Sequence, residues 1–244
     1  MHHMELGQWQ VVNSGTNSAE MNMALDVQLL EGLASGISQQ AILHLYEWNH
    51  PSATYGYFIK PQSLLCLQAA ADINLHLARR PTGGGIIFHL TDFAFSILVP
   101  EGHCGYSINT MDNYAFVNNI VIGVISQFKA KLKPVLLQKD PSAMDASCTQ
   151  FCMAKPTKYD VVIDNKKVAG GAQRRTKHGF LHQGTISLMQ PDNSFLNKVL
   201  LPGNQVLQAM QDHSYALLEV HQSSEEIAEA RRILRELFIK NLRN

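Results

Sequence analysis

The chain has 244 residues, of which 45% are apolar and only 16% are charged. Its 20 basic and 20 acidic side chains cancel, which argues against nucleic acid or an anionic membrane as a main partner, because both select a basic excess. Four cysteines are too few for a disulfide scaffold, no apolar run reaches the roughly 18 residues of a membrane span, and residues 1–5 contain no apolar signal segment. We therefore expect a soluble, reduced, cytoplasmic protein that binds neither nucleic acid nor membranes.

Hydrophobic periodicity predicts the elements of the first half, with residues 1–5 set aside. Ser18 is suited to cap a first helix that has Glu20 in its first turn. The apolar stripe of this helix comprises Met21, Ala24, Leu25, Leu29 and Leu33, and Gly32 and Gly36 mark its end. Strands are predicted at Ala41–Trp48, Ala53–Ile59, Ile73–Ala78, Ile86–Leu90 and Ala94–Val99, with a short helix after Pro61.

The second half contains two strong helical patterns. The first runs from Thr110 to Leu132 and is stopped by Pro134; the second begins at Ser223, which forms a capping box with Glu226. Strands are predicted at Tyr159–Ile163, Lys167–Gln173 and Phe180–Leu188. Short strands interleaved with helices predict an α/β or α+β domain with a mixed, largely antiparallel sheet and flanking helices.

A glycine-rich segment lies between two predicted strands. Residues 79–85 read Arg-Arg-Pro-Thr-Gly-Gly-Gly. Consecutive glycines expose backbone N–H groups to a ligand, and the arginines supply forked donors that suit phosphate or carboxylate. A plain β-turn is the alternative. The segment is not a Walker loop, because it enters a strand and lacks the Gly-Lys-Ser/Thr ending.

A lysine pair opens the second motif, Lys-Lys-Val-Ala-Gly-Gly-Ala-Gln-Arg-Arg at residues 166–175. A strand lysine beside small residues can reach along a cleft and pair with an acyl oxygen or oxyanion. The alternative is a sheet edge protected by charge. We expect a lysine that faces a cleft to contribute little to core packing.

Cys152 is the cysteine best suited to be a nucleophile. Most cysteines are small buried apolar residues, but Lys155, Lys158 and the lysine pair at 166–167 are expected to favour its thiolate. Cys148 and Cys152 together do not predict a zinc site, since their spacing is loose and no second Cys/His pair completes a tetrahedron. We predict no metal.

Taken in order, the glycine-rich segment, Phe95-Ser96 on a strand, and Lys-Val-Ala-Gly-Gly-Ala-Gln at 167–173 resemble the catalytic domain shared by biotin protein ligases, lipoate-protein ligases and octanoyl transferases. Residues 21–26 and 48–57 add to the resemblance, which runs from about Met21 to Leu188. It implies a catalytic domain at residues 1–190, with a C-terminal helical extension at 191–244 packed on it. The second motif implies the lipoate branch of the family.

The enzymes of the lipoate branch use one of two chemistries. Lipoate-protein ligases use ATP to make lipoyl-AMP and pass the acyl group to a lysine of a lipoyl domain. Octanoyl transferases and amidotransferases that depend on cysteine use no ATP and carry the acyl group on that cysteine. Cys152 stands where they have their nucleophile, and Pro156, Tyr159 and Asp160 match the residues that follow it in them.

The resemblance therefore implies transfer of an octanoyl or lipoyl group through a Cys152 thioester to a lysine of a lipoyl domain. An ATP-dependent ligase is the alternative, and a non-catalytic module that binds lipoyl domains is a third. The implied recipients are lipoyl-domain proteins such as the E2 subunit of 2-oxoacid dehydrogenases or the H protein of glycine cleavage, with acyl carrier protein as a donor. No cofactor is tightly bound, and ATP and Mg²⁺ are needed only by the ligase.

The resemblance also implies the site residues. Cys152 and Lys167 are catalytic, with Lys167 polarising the acyl carbonyl. The implied substrate-binding residues are Arg79, Arg80, Thr82, Gly83, Gly84, Gly85, His89, Tyr159, Asp160, Gly170, Gly171 and Ala172. One departure from the family pattern is His182-Gln183-Gly184, where relatives usually have histidine directly before glycine, and this implies a difference either in the wall of the acyl site or in a contact just behind that wall.

Overall fold

The computed structural model describes residues 2–6, 8–35, 40–140, 148–218 and 222–243. The helices are α1 (Ala19–Gly32), α2 (Leu67–Asp72), α3 (Thr110–Phe128), α4 (Asn193–Val199), α5 (Val206–His213) and α6 (Ser224–Asn241). The strands are β1 (His2–Leu6), β2 (Trp9–Asn17), β3 (Ala41–Trp48), β4 (Ser52–Tyr55), β5 (His76–Arg79), β6 (Ile86–His89), β7 (Asp92–Pro100), β8 (Val135–Leu136), β9 (Val161–Ile163), β10 (Lys166–Thr176) and β11 (Gly179–Ser187). Within these ranges, none of the helices combines the length and apolarity needed to cross a bilayer.

The described strands form two sheets. The larger has eight strands in the order β1-β2-β3-β7-β11-β10-β9-β8, and all neighbours are antiparallel except β2 and β3. The smaller has the order β5-β4-β6, with β4 parallel to β5 and antiparallel to β6. The predicted fold class, a mixed and largely antiparallel sheet with flanking helices, is confirmed. The separate small sheet was not predicted.

The main core lies between the large sheet and helices α3 and α6. Phe238 of α6 is fully buried, with its ring centre 4.7 Å from that of Phe95 on β7. The predicted capping box starts α6, because the Ser223 side chain accepts from Glu226 N–H and the Glu226 carboxylate accepts from Ser223 N–H. The apolar stripe of α6 therefore packs on β7 of the large sheet.

Helix α1 begins as predicted but buries a different face. Ser18 caps it by accepting a hydrogen bond from Met21 N–H, yet the Met21 side chain is 52% exposed. The buried face carries Asn22, Met23, Asp26 and Leu30. Asp26 is the reason, because its carboxylate binds His44, Ser96 and Gln183 of the large sheet, each at 2.7 Å. The predicted end at Gly36 lies outside the described residues.

Several predicted boundaries moved. Strand β4 ends at Tyr55 instead of Ile59, because the N–H groups of Gly56 and Tyr57 donate to Gly85 O and Thr82 O of the glycine-rich segment. Strand β5 begins at His76 instead of Ile73, after Asn74 turns the chain with φ +54°. Helix α3 ends at Phe128, four residues before the predicted end. Strands β1, β2 and β8 were not predicted, and helices α4 and α5 were expected only as part of the helical extension at 191–244.

Candidate active site

A cavity of about 230 Å³ lies between the glycine-rich segment and strands β10 and β11. It contains both predicted catalytic residues and most of the predicted substrate-binding residues. Those that line it are Arg80, Gly83, Gly84, Gly85, Cys152, Lys167, Gly170, Gly171 and Ala172. The glycine-rich segment therefore meets Cys152 and the second motif, which lie much later in the chain, at one cavity.

The Cys152 sulfur is half-buried and faces the glycine-rich segment. The Cys152 N–H donates to Ile86 O at 3.1 Å, so the backbone is joined to β6. Gly85 N–H donates to Cys152 Sγ at 3.1 Å, and Arg80 Nη2 lies 3.9 Å from the same sulfur. The sulfur thus meets two hydrogen-bond donors and opens on the cavity.

The cation beside this sulfur is Arg80, where lysines were expected. Lys166 Nζ binds Gln211 O, and the Lys158 ammonium lies over the Tyr159 ring at 4.9 Å. Lys167 Nζ donates to the backbone oxygen of Cys152 at 2.9 Å, not to its sulfur. Lys155, the remaining lysine that was expected to favour the thiolate, lines the cavity.

Lys167 is paired with Asp160. Lys167 Nζ lies 2.7 Å from Asp160 Oδ2, and the two residues are only 4% and 3% exposed. Asp160 Oδ2 also accepts from Thr157 N–H at 2.7 Å and from its hydroxyl at 3.0 Å. A side chain on Gly170 would collide with both members of the pair. The expectation that Lys167 contributes little to packing is therefore wrong, because it balances a buried carboxylate.

Arg80 holds the glycine-rich segment in place. Its Nη2 donates to Gly85 O at 2.7 Å and to Gly83 O at 3.2 Å, and its Nη1 donates to Thr54 Oγ1 at 2.8 Å. Gly84 has φ +84°, and a Cβ on it would lie 3.4 Å from Cys152 Sγ. That distance is an ordinary van der Waals contact, and the positive φ is the reason that this position favours glycine.

A buried polar chain continues behind Arg80. Thr54 Oγ1 lies 2.8 Å from His89 Nε2, and His89 Nδ1 lies 2.6 Å from Asp92 Oδ2. Burial raises the pKa of Asp92, but the charge and hydrogen bond of His89 and a hydrogen bond from Thr185 together bring that pKa below its usual value. His89 is therefore linked to the cavity on two sides, through Thr54 and Arg80 and through Asp92 and Thr185.

Five predicted substrate-binding residues do not line the cavity. Thr82 lies behind the segment and donates to Gln183 Oε1 at 2.7 Å. Arg79 is exposed 5.0 Å from the Tyr57 ring centre, on a neighbouring groove. Tyr159 has φ +71° and its N–H binds Leu137 O. With His89 and Asp160, these residues surround the site, and their contacts with substrate stay predictions.

Sequence reasoning missed residues that line the cavity, among them Tyr114 and Gln173. Tyr114 comes from α3 and accepts a hydrogen bond from Gln173 N–H at 3.0 Å. His182 lies next to Gly171, where a side chain would collide with it, and Gln173 Nε2 lies 2.9 Å from its Nδ1. Burial lowers the pKa of His182 to about 3. The departure at His182 was noticed in the sequence, whereas no pattern in α3 distinguished Tyr114.

The amino-acid sequence of the chain is similar to those of known proteins. A sequence model described as the lipoyl protein ligase A/B catalytic domain matches residues 18–237. An octanoyltransferase named LipM from Halalkalibacterium halodurans is 28% identical over 208 residues, 83% of this chain and 74% of the relative. The protein of the same name from Bacillus subtilis is 27% identical over 244 residues, 96% of this chain and 86% of the relative.

A solved structure supports the fold. It is a bi-partite lipoate protein ligase studied with its E2 lipoyl domain, from Thermoplasma acidophilum. It is 19% identical, with a TM-score of 0.63 over 95% of this chain and 82% of the other. At that identity the similarity shows the fold alone. The family match covers most of the chain, and the chain belongs to the lipoyl protein ligase A/B catalytic domain family.

Proposed function

We propose that this enzyme is an octanoyltransferase that carries the octanoyl group on Cys152 and passes it to a lysine of a lipoyl domain. The shared name of the sequence relatives favours this function over the ATP-dependent ligase. The observation that carries the proposal is the position of Cys152 Sγ, 3.1 Å from Gly85 N in the cavity that also contains Lys167.

In the first half-reaction, the Cys152 thiolate attacks the carbonyl carbon of an octanoyl thioester on acyl carrier protein. A bond forms between Cys152 Sγ and the acyl carbon, and the donor's bond between carbon and sulfur breaks. The donor leaves as a thiol after taking up the proton that Cys152 gave up. The product is an octanoyl-Cys152 thioester, so the reaction is an exchange that needs no ATP.

Lys167 supplies a donor for the negative oxygen of each tetrahedral intermediate. Two of its three N–H bonds are directed to Asp160 Oδ2 and Cys152 O, which fixes the ammonium and leaves the third for the acyl oxygen. A fixed donor of this kind contributes roughly 3–4 kcal/mol to transition-state stabilisation. In this mechanism Asp160 positions Lys167.

In the second half-reaction, the neutral amine of the recipient lysine attacks the octanoyl-Cys152 carbonyl. The new bond between nitrogen and carbon is an amide, the bond between carbon and Sγ breaks, and Cys152 returns to its thiolate as the amine loses one proton. The recipient is a lipoyl domain, of the E2 or H-protein type. Neither ATP nor Mg²⁺ takes part in this cycle.

The acyl chain needs an apolar wall beside the cysteine. A second cavity of about 30 Å³ shares Ile87, Met153 and Thr185 with the first, and its apolar lining includes Phe88, Phe151 and Met210. Methionine side chains are flexible and can move to admit an acyl chain. We place the octanoyl chain along this apolar extension.

The test is incubation with octanoyl-acyl carrier protein and an unmodified lipoyl domain, with and without ATP. The proposal predicts transfer without ATP and one octanoyl mass on a peptide that contains Cys152, labile to neutral hydroxylamine. Cys152→Ser should lose both, because a serine hydroxyl lacks the nucleophilicity of a thiolate.

Cys66→Ser is the matched control, since Cys66 is also a half-buried free cysteine but lies at the start of α2. It should keep both the adduct and the transfer. Transfer that requires ATP and proceeds normally in Cys152→Ser would establish the ligase instead. Binding of the lipoyl domain without any transfer would indicate the non-catalytic module.

A further inference from the structure

Tyr114 is the one aromatic hydroxyl on the wall of the Cys152 cavity within the residues described. It projects from α3, near the buried residues Asn113 and Val117 that pack this helix on the core. Its ring meets the His182 ring edge-on, with 5.5 Å between ring centres. The helix and His182 therefore hold the phenol in a defined position on the wall of the cavity that Cys152 and Lys167 also line.

Within the part of the chain that the structure describes, the hydrogen of the Tyr114 hydroxyl has no acceptor. Gln173 N–H donates to its oxygen at 3.0 Å, and a backbone N–H can only donate, so the phenol oxygen is the acceptor. Among the described residues, this is the only hydrogen bond found for the hydroxyl. The phenolic hydrogen is thus free to donate to a ligand in the cavity.

The local charges keep that hydrogen on the oxygen. Burial, together with the nearby Asp160 and Cys152, raises the pKa of Tyr114 to about 12, against lowering by the Gln173 hydrogen bond and by Arg80. At neutral pH the phenol is therefore a neutral donor and not a base. A donor fixed in a buried cavity is suited to an oxygen that becomes negative during reaction.

We propose that Tyr114 is a further catalytic residue, whose hydroxyl donates to the acyl oxygen of both tetrahedral intermediates together with Lys167. The inference rests on the proposed acyl transfer. No bond of Tyr114 is made or broken. Its hydrogen bond to the acyl oxygen strengthens as that oxygen gains charge, so it accelerates acylation of Cys152 more than it tightens binding of the donor.

The test is Tyr114→Phe, which removes only the hydroxyl. The rate of octanoyl-Cys152 formation from octanoyl-acyl carrier protein is followed by mass spectrometry in single turnovers over a range of donor concentrations. We expect the maximal rate to fall about 100-fold, with the half-saturating concentration little changed. Tyr106→Phe, a matched loss of a phenol that stacks on Phe180, should keep the wild-type rate.

A second variant distinguishes two roles of the Tyr114 hydroxyl: donating a hydrogen bond to the substrate, and accepting the hydrogen bond from Gln173 N–H. Replacement of Tyr114 alone by 3-fluorotyrosine makes the hydroxyl a stronger donor and a weaker acceptor. If the hydroxyl donates to the acyl oxygen, this protein should acylate at least as fast as wild type. If the hydroxyl only holds Gln173 N–H, fluorination should slow acylation in the same direction as Tyr114→Phe.

Two results would overturn the inference while leaving the proposed function intact. One is wild-type acylation by Tyr114→Phe, and the other is slower acylation by the fluorinated protein. Failure of the wild-type protein to form any Cys152 adduct would instead overturn the proposed function, and this inference with it.

Discussion

At the scale of single residues, the buried pair of Lys167 and Asp160 links catalysis to stability. Their side chains are 5% and 4% exposed, and the charged atoms are 2.7 Å apart. Removal of either partner from such a pair leaves a charge that neither water nor an opposite charge balances. The residue that polarises the substrate in the proposed mechanism is thus also one that the fold requires.

Lys167→Met should abolish acyl transfer and lower the free energy of unfolding by about 3–5 kcal/mol, because Asp160 is left unpaired. Urea denaturation and the transfer assay measure the two effects. The double variant Lys167→Met with Asp160→Asn is the control: it should regain most of the stability and none of the activity. Wild-type stability in Lys167→Met alone would show that the pair is not needed for folding.

The free energy of unfolding should depend on pH through the protonation of His182. Its pKa is lowered from 6.5 to about 3 in the folded protein, so the unfolded chain takes up a proton that the folded chain refuses. The contribution of neutral His182 to the free energy of unfolding is therefore complete above pH 6.5. As the pH falls from 6.5 towards 3, this contribution is lost at about 1.4 kcal/mol per pH unit.

His182→Gln removes this titrating group and keeps an amide that can bind Gln173. Between pH 6 and pH 5, both within the interval from about 3 to 6.5, its free energy of unfolding should fall less than that of the wild type. Parallel urea denaturation curves at the two pH values measure the difference. Equal slopes for the two proteins would show that His182 takes up its proton in the folded state as readily as in the unfolded chain.

At the scale of elements, the glycine-rich segment depends on one residue with positive φ. Gly84 has φ +84° and lies against Cys152 Sγ, whereas Gly203 has φ +83° and nothing within 4 Å of a built Cβ. The two positions share the same backbone strain for a β-branched side chain. They differ only in what the new side chain would contact.

Gly84→Val should therefore block formation of octanoyl-Cys152, since its side chain would occupy the space between the segment and the sulfur. Gly203→Val should cost a similar ~1–3 kcal/mol of stability and leave acylation unchanged. Mass spectrometry of the acylated protein and thermal unfolding compare the two. Normal acylation of Gly84→Val would mean that the segment is a plain turn.

Local signals explain which elements the sequence predicted. The capping box at Ser223 and the periodicity of α3 and α6 depend on neighbours within one helix, so they could be read directly. The buried face of α1 could not, because Asp26 turns it inward through hydrogen bonds to strands that lie 18 to 157 residues away. Strand β8 has two residues and is defined only by its pairing with β9.

The candidate site likewise contains features that the sequence predicted and contacts that it did not. The order of the motifs along the chain predicted that Cys152, Lys167 and the glycines belong to one site, and in the structure they line the same cavity. The partner of each side chain was not predictable, because it depends on contacts between strands. Arg80 binds its own segment, Lys167 binds Asp160, and Tyr114 enters from a helix that carried no motif.

At the scale of the whole molecule, residues beyond 190 complete the site. Tyr215 N–H donates to Lys167 O at 2.7 Å, and Ser214 Oγ lies 3.1 Å from the backbone oxygen of Met153, next to Cys152. The same part of the chain supplies buried side chains to both large cores. They are Leu196, Val199, Leu200, Val206, Ala209 and Met210 in one, and Leu217, Ala230, Leu234, Phe238 and Leu242 in the other.

The predicted division at residue 190 can be tested by cutting the chain there. We expect residues 1–190 alone to unfold without a cooperative transition and to leave Cys152 unacylated, because both cores lose buried apolar surface and the strand of Lys167 loses its hydrogen bond to Tyr215. Urea denaturation and mass spectrometry of the acyl adduct provide the two measurements. Co-expression with residues 191–244 as a separate chain should restore both properties, since the missing contacts are non-covalent. Cooperative unfolding and acylation by residues 1–190 alone would instead make them an independent catalytic domain, with the C-terminal helices as an accessory.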